Sequence, residues 1–306
     1  MNIGYRRLLP GRLRRWMRSL VVECGDLSCR GFHVSNALLR QPGIFLDLTW
    51  YCSSDCLRDG IKQRVEAQLS SALTDLRRPP RMPFRLILLA GGLVSEAQLA
   101  EARAMQASNT RTVGGAGAPD VGSTLVSLGY VTEEQVGAAR AAEAGCPFFG
   151  GAIQAMLPAY RLPAALVQLH CALPVHYSPV TDRLVVGFVY RVNNSLVQAI
   201  EQVIGCRVEA CMITATAWKQ HVAAIPPPCP EQVGRQTLQQ SRIVDMIVEQ
   251  AIASGADRIR MGLAGTSFWV RLTAGPRSED LLIDLAEDGA QAESGFGSPE
   301  PVSKGA

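Results

Sequence analysis

The strongest constraint in this chain is an internal repeat. Leu88, Gly92, Val94, Glu96, Gln98, Ala102, Arg103 and Ala104 recur 37 positions later as Leu125, Gly129, Val131, Glu133, Gln135, Ala139, Arg140 and Ala141. Ser95 is matched by Thr132 and Leu99 by Val136. Each copy places a glycine before an apolar pair and a Ser/Thr-x-x-Gln quartet. The glycine can end a helix in the left-handed region, where a side chain is strained. The Ser or Thr hydroxyl can cap the next helix while the Gln reaches back to the cap's own N–H. Each copy is therefore predicted to be helix, tight turn, helix, and two copies to form a small bundle.

The flanking sequence breaks this pattern. The run Arg77-Arg78-Pro79-Pro80-Arg81-Met82-Pro83 forbids helix continuation and reads as a linker. Residues 109–119 read as a loop, and Ile225-Pro226-Pro227-Pro228-Cys229-Pro230 as a stiffer linker. Beyond Phe148, Leu173–Tyr177, Leu184–Val189 and Arg207–Ile213 are short apolar strands. Ser195–Ile204 lies between them as a helix ended by Gly205, and Thr214 is placed to cap a further helix. Ser241–Ser254 is an amphipathic helix followed by strand-like Arg258–Met261 and Ser267–Leu272.

The fold class is α+β. The expected units are a basic arm (1–22), a Cys-rich module of zinc-finger type (23–78), a helical-repeat bundle (84–147), a small α/β lobe (148–225), a linker (226–240), a short helix-strand fragment (241–285) and a disordered tail (286–306).

The Cys-rich module carries metal-site spacing. Cys24-x4-Cys29 is followed by Tyr51-Cys52-Ser53-Ser54-Asp55-Cys56, which runs into an amphipathic helix. Two thiol pairs can close a tetrahedral zinc site, and a helix start offers N–H donors to thiolates. The alternative is four free or buried cysteines. A module of this size has few large hydrophobes and needs a staple. Cys24, Cys29, Cys52 and Cys56 are therefore the expected ligands of a structural zinc, with His33 as a further candidate. The nine cysteines are an odd number without an evident export signal, which argues against a disulfide framework. Cys146, Cys171, Cys206, Cys211 and Cys229 read as small buried hydrophobes or linker positions.

Other classes are disfavoured. The lysines are Lys62, Lys219 and Lys304, and none follows a glycine. A phosphate-binding loop needs a lysine on a glycine-rich turn, so no such ATP site is expected. No histidine is followed by Glu and no Gly-x-Ser-x-Gly elbow occurs, so no catalytic constellation is expected. Net charge is +3, too small to argue for nucleic acid, although six arginines crowd the first 22 residues. No apolar run reaches the roughly 20 residues of a membrane span. A cytoplasmic location is the expectation.

The segments GLVSEAQLAEARAMQ, LGYVTEEQVGAARAAEAGCPFF and LPAALVQLHCALPVHYSPVTDRLVVGF, followed by IEQVIGCRVEACMIT, resemble the N-terminal domain of bacterial type II secretion and type IV pilus assembly ATPases. The resemblance covers about 84–225. SRIVDMIVEQAIASGADRIRM resembles the opening of the ATPase's own N-terminal half, with Asp257-Arg258-Ile259-Arg260 departing from the family's Ala-Ser-Asp-Ile-His. The resemblance implies a non-catalytic adaptor or regulator that docks a secretion or pilus component. The alternative it implies is a degenerate receptor for cyclic di-GMP. A third alternative, from the cysteine module and arginine arm, is a zinc-dependent nucleic-acid-binding module.

The family's nucleotide motif is Arg-Leu-Gly, then Leu, Gly, two apolar positions and Gln, used twice. By that resemblance the candidate nucleotide-binding residues here are Arg85, Leu88, Gly92, Leu99 and Gln106 in the first copy, and Gly122, Leu125, Gly129 and Val136 in the second. The motif arginines are replaced by Pro83 and Asp120, Arg103 and Arg140 replace apolar residues, and Glu143 replaces the second Gln. Asp120 places negative charge where a phosphate would sit.

Overall fold

The computed structural model describes residues 23–29, 43–72, 82–110, 120–154, 156–157, 160–223, 235–238 and 240–285. The basic arm, His33, Cys229, the 111–119 loop, most of both proline linkers and the C-terminal tail lie outside them.

The repeat folds as its caps dictate. Helices α2 (Phe84–Ala90) and α3 (Glu96–Thr110) form the first hairpin, α4 (Val121–Ser127) and α5 (Glu133–Ala144) the second. Gly92 and Gly129 adopt φ of +65° and +73° at the two turns. Ser95 and Thr132 accept from the backbone N–H of Gln98 (3.3 Å) and Gln135 (3.2 Å), and the Gln carbonyls accept from Ser95 N and Thr132 N, both at 2.8 Å. Packing crosses between copies, α2 on α5 and α3 on α4. Leu88, Leu99, Leu125 and Val136 fill the core.

The lobe is a three-stranded sheet of β3 (Ala172–Ser178), β4 (Arg183–Phe188) and β5 (Arg207–Met212), with β4 in the centre. Strands β3 and β4 are antiparallel, β4 and β5 parallel. Helix α6 (Ala164–His170) leads into β3. The parallel crossover is α7 (Asn194–Ile204), capped by Asn193 and ended by Gly205 at φ +84°. Helix α8 (Ala215–Ala223) follows β5.

The Cys-rich module and the C-terminal fragment read as separate units in the sequence, yet they share one sheet. Strands β1 (Ile44–Leu46) and β2 (Thr49–Tyr51) form a hairpin, and helix α1 (Ser54–Ala72) follows. Near the C-terminus come β6 (Arg235–Leu238), helix α9 (Gln240–Ala253), β7 (Arg258–Ala264), β8 (Ser267–Ala274) and β9 (Arg277–Leu285). The sheet order is β2-β1-β7-β8-β9-β6. Strands β7, β8 and β9 form an antiparallel meander, while β1 joins β7 and β6 joins β9 in parallel. The Cys module thereby supplies the strand that covers the edge of β7.

Strand alternation buries both faces of this sheet. Ile259, Met261, Phe268, Val270, Leu272, Leu281 and Ile283 meet Leu57, Ile61 and Val65 of α1 and Ile243, Ile247, Val248 and Ala251 of α9. On the opposite face Ala264, Trp269 and Leu282 join the core of the lobe. Helix α7 packs on β5 and also on β7 and β8. It approaches so closely that a Cβ at Gly262 would sit 2.7 Å from the Ala199 Cα.

One buried charge pair ties the sheet to the lobe. Arg271 on β8 faces Asp280 on β9 and donates to both carboxylate oxygens at 2.8 and 2.9 Å. It also donates to the Arg161 carbonyl of the lobe (3.0 Å) and lies 5.1 Å from the Trp269 ring centroid. Removing one member of such a pair leaves an uncompensated buried charge. We expect Asp280→Ala to destabilise the chain by about 3–5 kcal/mol in urea unfolding. The double change Arg271→Met with Asp280→Leu should recover most of that loss. A single variant within about 0.5 kcal/mol of the parent would show that the pair is solvated.

Candidate functional site

The sequence-predicted zinc ligands converge. One ligand atom from each of Cys24, Cys29, Cys52 and Cys56 lies within 4.8 Å of all the others. The Cys29 and Cys52 sulfurs are 3.6 Å apart and those of Cys52 and Cys56 3.8 Å. A tetrahedral zinc with Zn–S bonds of about 2.3 Å has sulfur–sulfur edges of roughly 3.8 Å. The four thiols therefore define a coordination shell of the right size, completed by protein sulfur alone. Such closure would leave no position for a substrate or activated water, as in a structural site.

Local geometry delivers each ligand. Cys24 and Cys29 flank a knuckle in which Cys29 N donates to the Asp26 carbonyl (3.1 Å), and Ser28 N and Oγ both donate to the Asp26 carboxylate at 2.8 Å. Gly25 N donates to the Trp50 carbonyl (2.8 Å), fastening the knuckle to β2. Cys52 follows β2 directly. Cys56 sits in the first turn of α1, where its N–H donates to Ser53 Oγ (3.3 Å). A Cβ at Gly25 or Gly60 would overlap the Tyr51 side chain. Both glycines thus let that ring lie flat between knuckle and helix.

The electrostatics also fit a cation. Burial acts to raise the Cys24 thiol, but hydrogen bonds from the backbone N–H of Asp26 and Cys52 and from neighbouring thiols hold it below its usual value. Burial and a hydrogen bond with Cys29 push Cys52 up. At Cys56 the Ser53 hydrogen bond acts to lower the thiol, and burial with contacts to Asp26 and the other thiols outweighs it, leaving it raised. Of these three thiols Cys24 is the one held toward ionisation, while Cys52 and Cys56 are held toward the neutral form. A divalent ion would offset that burial and favour thiolate ligands.

The hairpin next to the cluster is pinned on its far side. Asp47, at φ +54° in the β1–β2 turn, pairs with Arg64 of α1 at 3.0 Å. Phe45 N donates to the Asp257 carbonyl (2.9 Å) and Asp47 N to the Ile259 carbonyl (2.7 Å), so the hairpin is bonded to the β7 edge.

The residues expected to meet a nucleotide are distributed differently. Leu88, Leu99, Leu125 and Val136 are buried in the bundle core. Gly92 and Gly129 make the turns. Gly122 is buried, Gln106 half-buried and Arg85 exposed. Asp120 caps α4 by accepting from Ser123 N (3.0 Å) and pairs with Arg140.

Arg140 is a buried junction between bundle and lobe that sequence reasoning did not place. Its side chain is only 8% exposed. It donates to the Val189 carbonyl of the lobe (2.7 Å) and lies 5.6 and 5.2 Å from the Phe84 and Tyr190 ring centroids. Gly122 makes room for it, since a Cβ there would stand 2.7 Å from Arg140 Nη2. The glycine two residues after an acid was the available signal.

Of the remaining cysteines, Cys206 and Cys211 are buried in the lobe core, as expected for small hydrophobes. Cys146 and Cys171 are half-buried against it.

No protein-family model and no curated protein matches the chain. Among solved structures it is similar to that of MshE with cdg, at 20% identity over 47% of this chain and 99% of that one, with a TM-score of 0.33. It is also similar to the N-terminal domain of XpsE in two crystal forms. There the identities are 14% and 18%, the coverage is 48% of this chain and 97% and 98% of those, and the TM-scores are 0.35 and 0.28. Among the described residues no helix is long and apolar enough to cross a membrane.

Native mass spectrometry should find one zinc per chain, and Cys52→Ser should abolish it. Because thiolates must form for the metal to bind, occupancy should fall as pH falls. Chelation should strip hydrogen-exchange protection from the Phe45 and Asp47 amides before those of β8. An apo protein with both amides still protected would detach the cluster from the sheet edge.

Proposed function

We propose that this chain is a non-catalytic adaptor, held together by a structural zinc and displaying its helical-repeat bundle and lobe to a protein partner. The observation that carries this reading is the closure of the metal shell by four thiols, on a hairpin that joins the two ends of the chain into one sheet. A metal so enclosed staples; it does not react. The bundle and lobe lie between the two stapled segments in sequence, held on a common base.

The sequence supports the non-catalytic part of the proposal. Lys62, Lys219 and Lys304 are the only ammonium side chains, and none stands on a glycine turn able to grip a terminal phosphate. The resemblance of 84–225 to the N-terminal domains of secretion and pilus ATPases points to a component of such machinery as the partner.

Cyclic di-GMP recognition is the weaker reading. The retained leucines are engaged in packing, and Asp120 and Arg140 satisfy one another in the second copy. A dianion entering there would have to displace a part-buried ion pair.

Purified protein should show no turnover with magnesium ATP above a buffer blank. Turnover that survives alanine replacement of Lys62, Lys219 and Lys304 together would overturn the proposal. Titration calorimetry with cyclic di-GMP at tens of micromolar protein should give no heat, and saturable heat would promote the receptor reading over the adaptor.

A further inference from the structure

The two repeat copies share a sequence but not an environment. In the second copy the outer face of α5 is covered by the lobe. Arg140 receives the Asp120 carboxylate, the Val189 carbonyl and the Tyr190 ring. Gly137 receives the Phe148 ring, which leaves no room for a Cβ. Glu133 accepts from Thr216 N (3.0 Å) and Oγ1 (2.8 Å) at the start of α8.

The matching positions of the first copy, 37 residues earlier, are Arg103, Ala100 and Glu96 on α3, and all three are exposed. Among the described residues neither Arg103 nor Glu96 has a hydrogen-bond or ion-pair partner. Pro83 stands where Asp120 stands in the second copy, so the first copy has no acid of its own for Arg103. Arg85 stands where Gly122 makes way for Arg140, which adds a second exposed cation to the same corner of the repeat.

We infer that the outer face of the first hairpin, centred on Arg103, Ala100 and Glu96, is the docking surface for a protein partner that brings what the lobe brings to the second. The partner presents a carboxylate and an aromatic ring to Arg103, and a helix start whose N–H groups meet Glu96. This rests on the adaptor reading and assigns its surface. The complementarity is copied from the chain's own solution at Arg140. The two arginines make an acidic partner segment favourable and a basic one unfavourable. Ala100 admits an aromatic ring less closely than Gly137 does, as suits a reversible contact rather than a permanent one.

A photocrosslinking residue at Ala100 of the full chain, in the cells that make it, tests this against the same residue at Val180, in the exposed turn between β3 and β4 of the lobe. We expect one protein cross-linked from Ala100 and not from Val180, its attached peptide holding Asp or Glu beside an aromatic residue. Arg103→Glu should cut the yield roughly tenfold or more without changing the melting temperature, since Arg103 is exposed. Reversing the partner's carboxylate to arginine should restore it. No cross-link from Ala100, or a yield that Arg103→Glu leaves unmoved, overturns the surface. Cross-links from Val180 alone would overturn the surface while sparing the adaptor reading; a silent chain at both positions and in a scan of the lobe would sink both.

Discussion

The architecture depends on a short parallel pairing between segments more than two hundred residues apart. Phe45 and Leu46 of β1 lie against Arg258 and Ile259 of β7. Without β1 the meander of β7, β8 and β9 would present an unpaired edge, and α9 would lose α1 from its apolar face. Two register pairs are little to hold such a junction, because ordering a hairpin and a helix costs about 1–2 kcal/mol of backbone entropy per residue. The four thiols sit on the hairpin side of that junction. A structural zinc contributes folding free energy directly, on the order of 10 kcal/mol in small modules. The thiol cluster and the sheet edge are therefore coupled: an ion bound by the four thiols would order the hairpin, and the ordered hairpin completes the sheet.

How much of this could be read from the sequence follows from the range of each interaction. The repeat was legible because its determinants are local: the left-handed glycine, the Ser or Thr cap and the Gln three residues on all act within a few residues of each other. The cysteine pairs were legible for the same reason, through their spacing. Strands β1 and β2 were not, because three residues apiece of Ile44-Phe45-Leu46 and Thr49-Trp50-Tyr51 carry no alternation long enough to read. What makes them strands is β7, at the other end of the chain. Strand β9 was hidden by its opening charges, Arg277, Glu279 and Asp280. Asp280 is tolerated because Arg271 faces it across the register and Trp269 Nε1 donates to it at 2.8 Å.

The site residues divide along the same line. The four thiols that cluster were all legible in the sequence. The nucleotide-motif positions were also visible, but a motif of leucines and glycines has the composition of a helical-hairpin core, and that is where Leu88, Leu99, Leu125 and Val136 reside. Arg103 and Arg140 are the sharper case. They occupy the same position of the same repeat, so no local rule separates them. Arg140 is buried because Asp120, Gly122 and the lobe surround it, and Arg103 is exposed because Pro83 and Arg85 replace the first two and no described residue replaces the third.

That asymmetry is informative because the two copies pack crosswise, α2 on α5 and α3 on α4. A crosswise pair gives its members equivalent inner faces, and the inner faces are indeed filled alike, Leu88 with Leu125 and Leu99 with Val136. Differences are then confined to the outer faces, where packing within the bundle imposes nothing. On one outer face the chain has placed its own lobe, anchored by an arginine that would be expensive to bury without Asp120 and Val189. On the other it has kept the arginine and removed the internal acid. A stability argument alone would favour neither change, since Pro83 supplies no side-chain cap to α2 where Asp120 caps α4. The first copy therefore gives up a local interaction that the second retains, and Arg103, without a hydrogen-bond or ion-pair partner among the described residues, matches the arginine that fastens the bundle to the lobe.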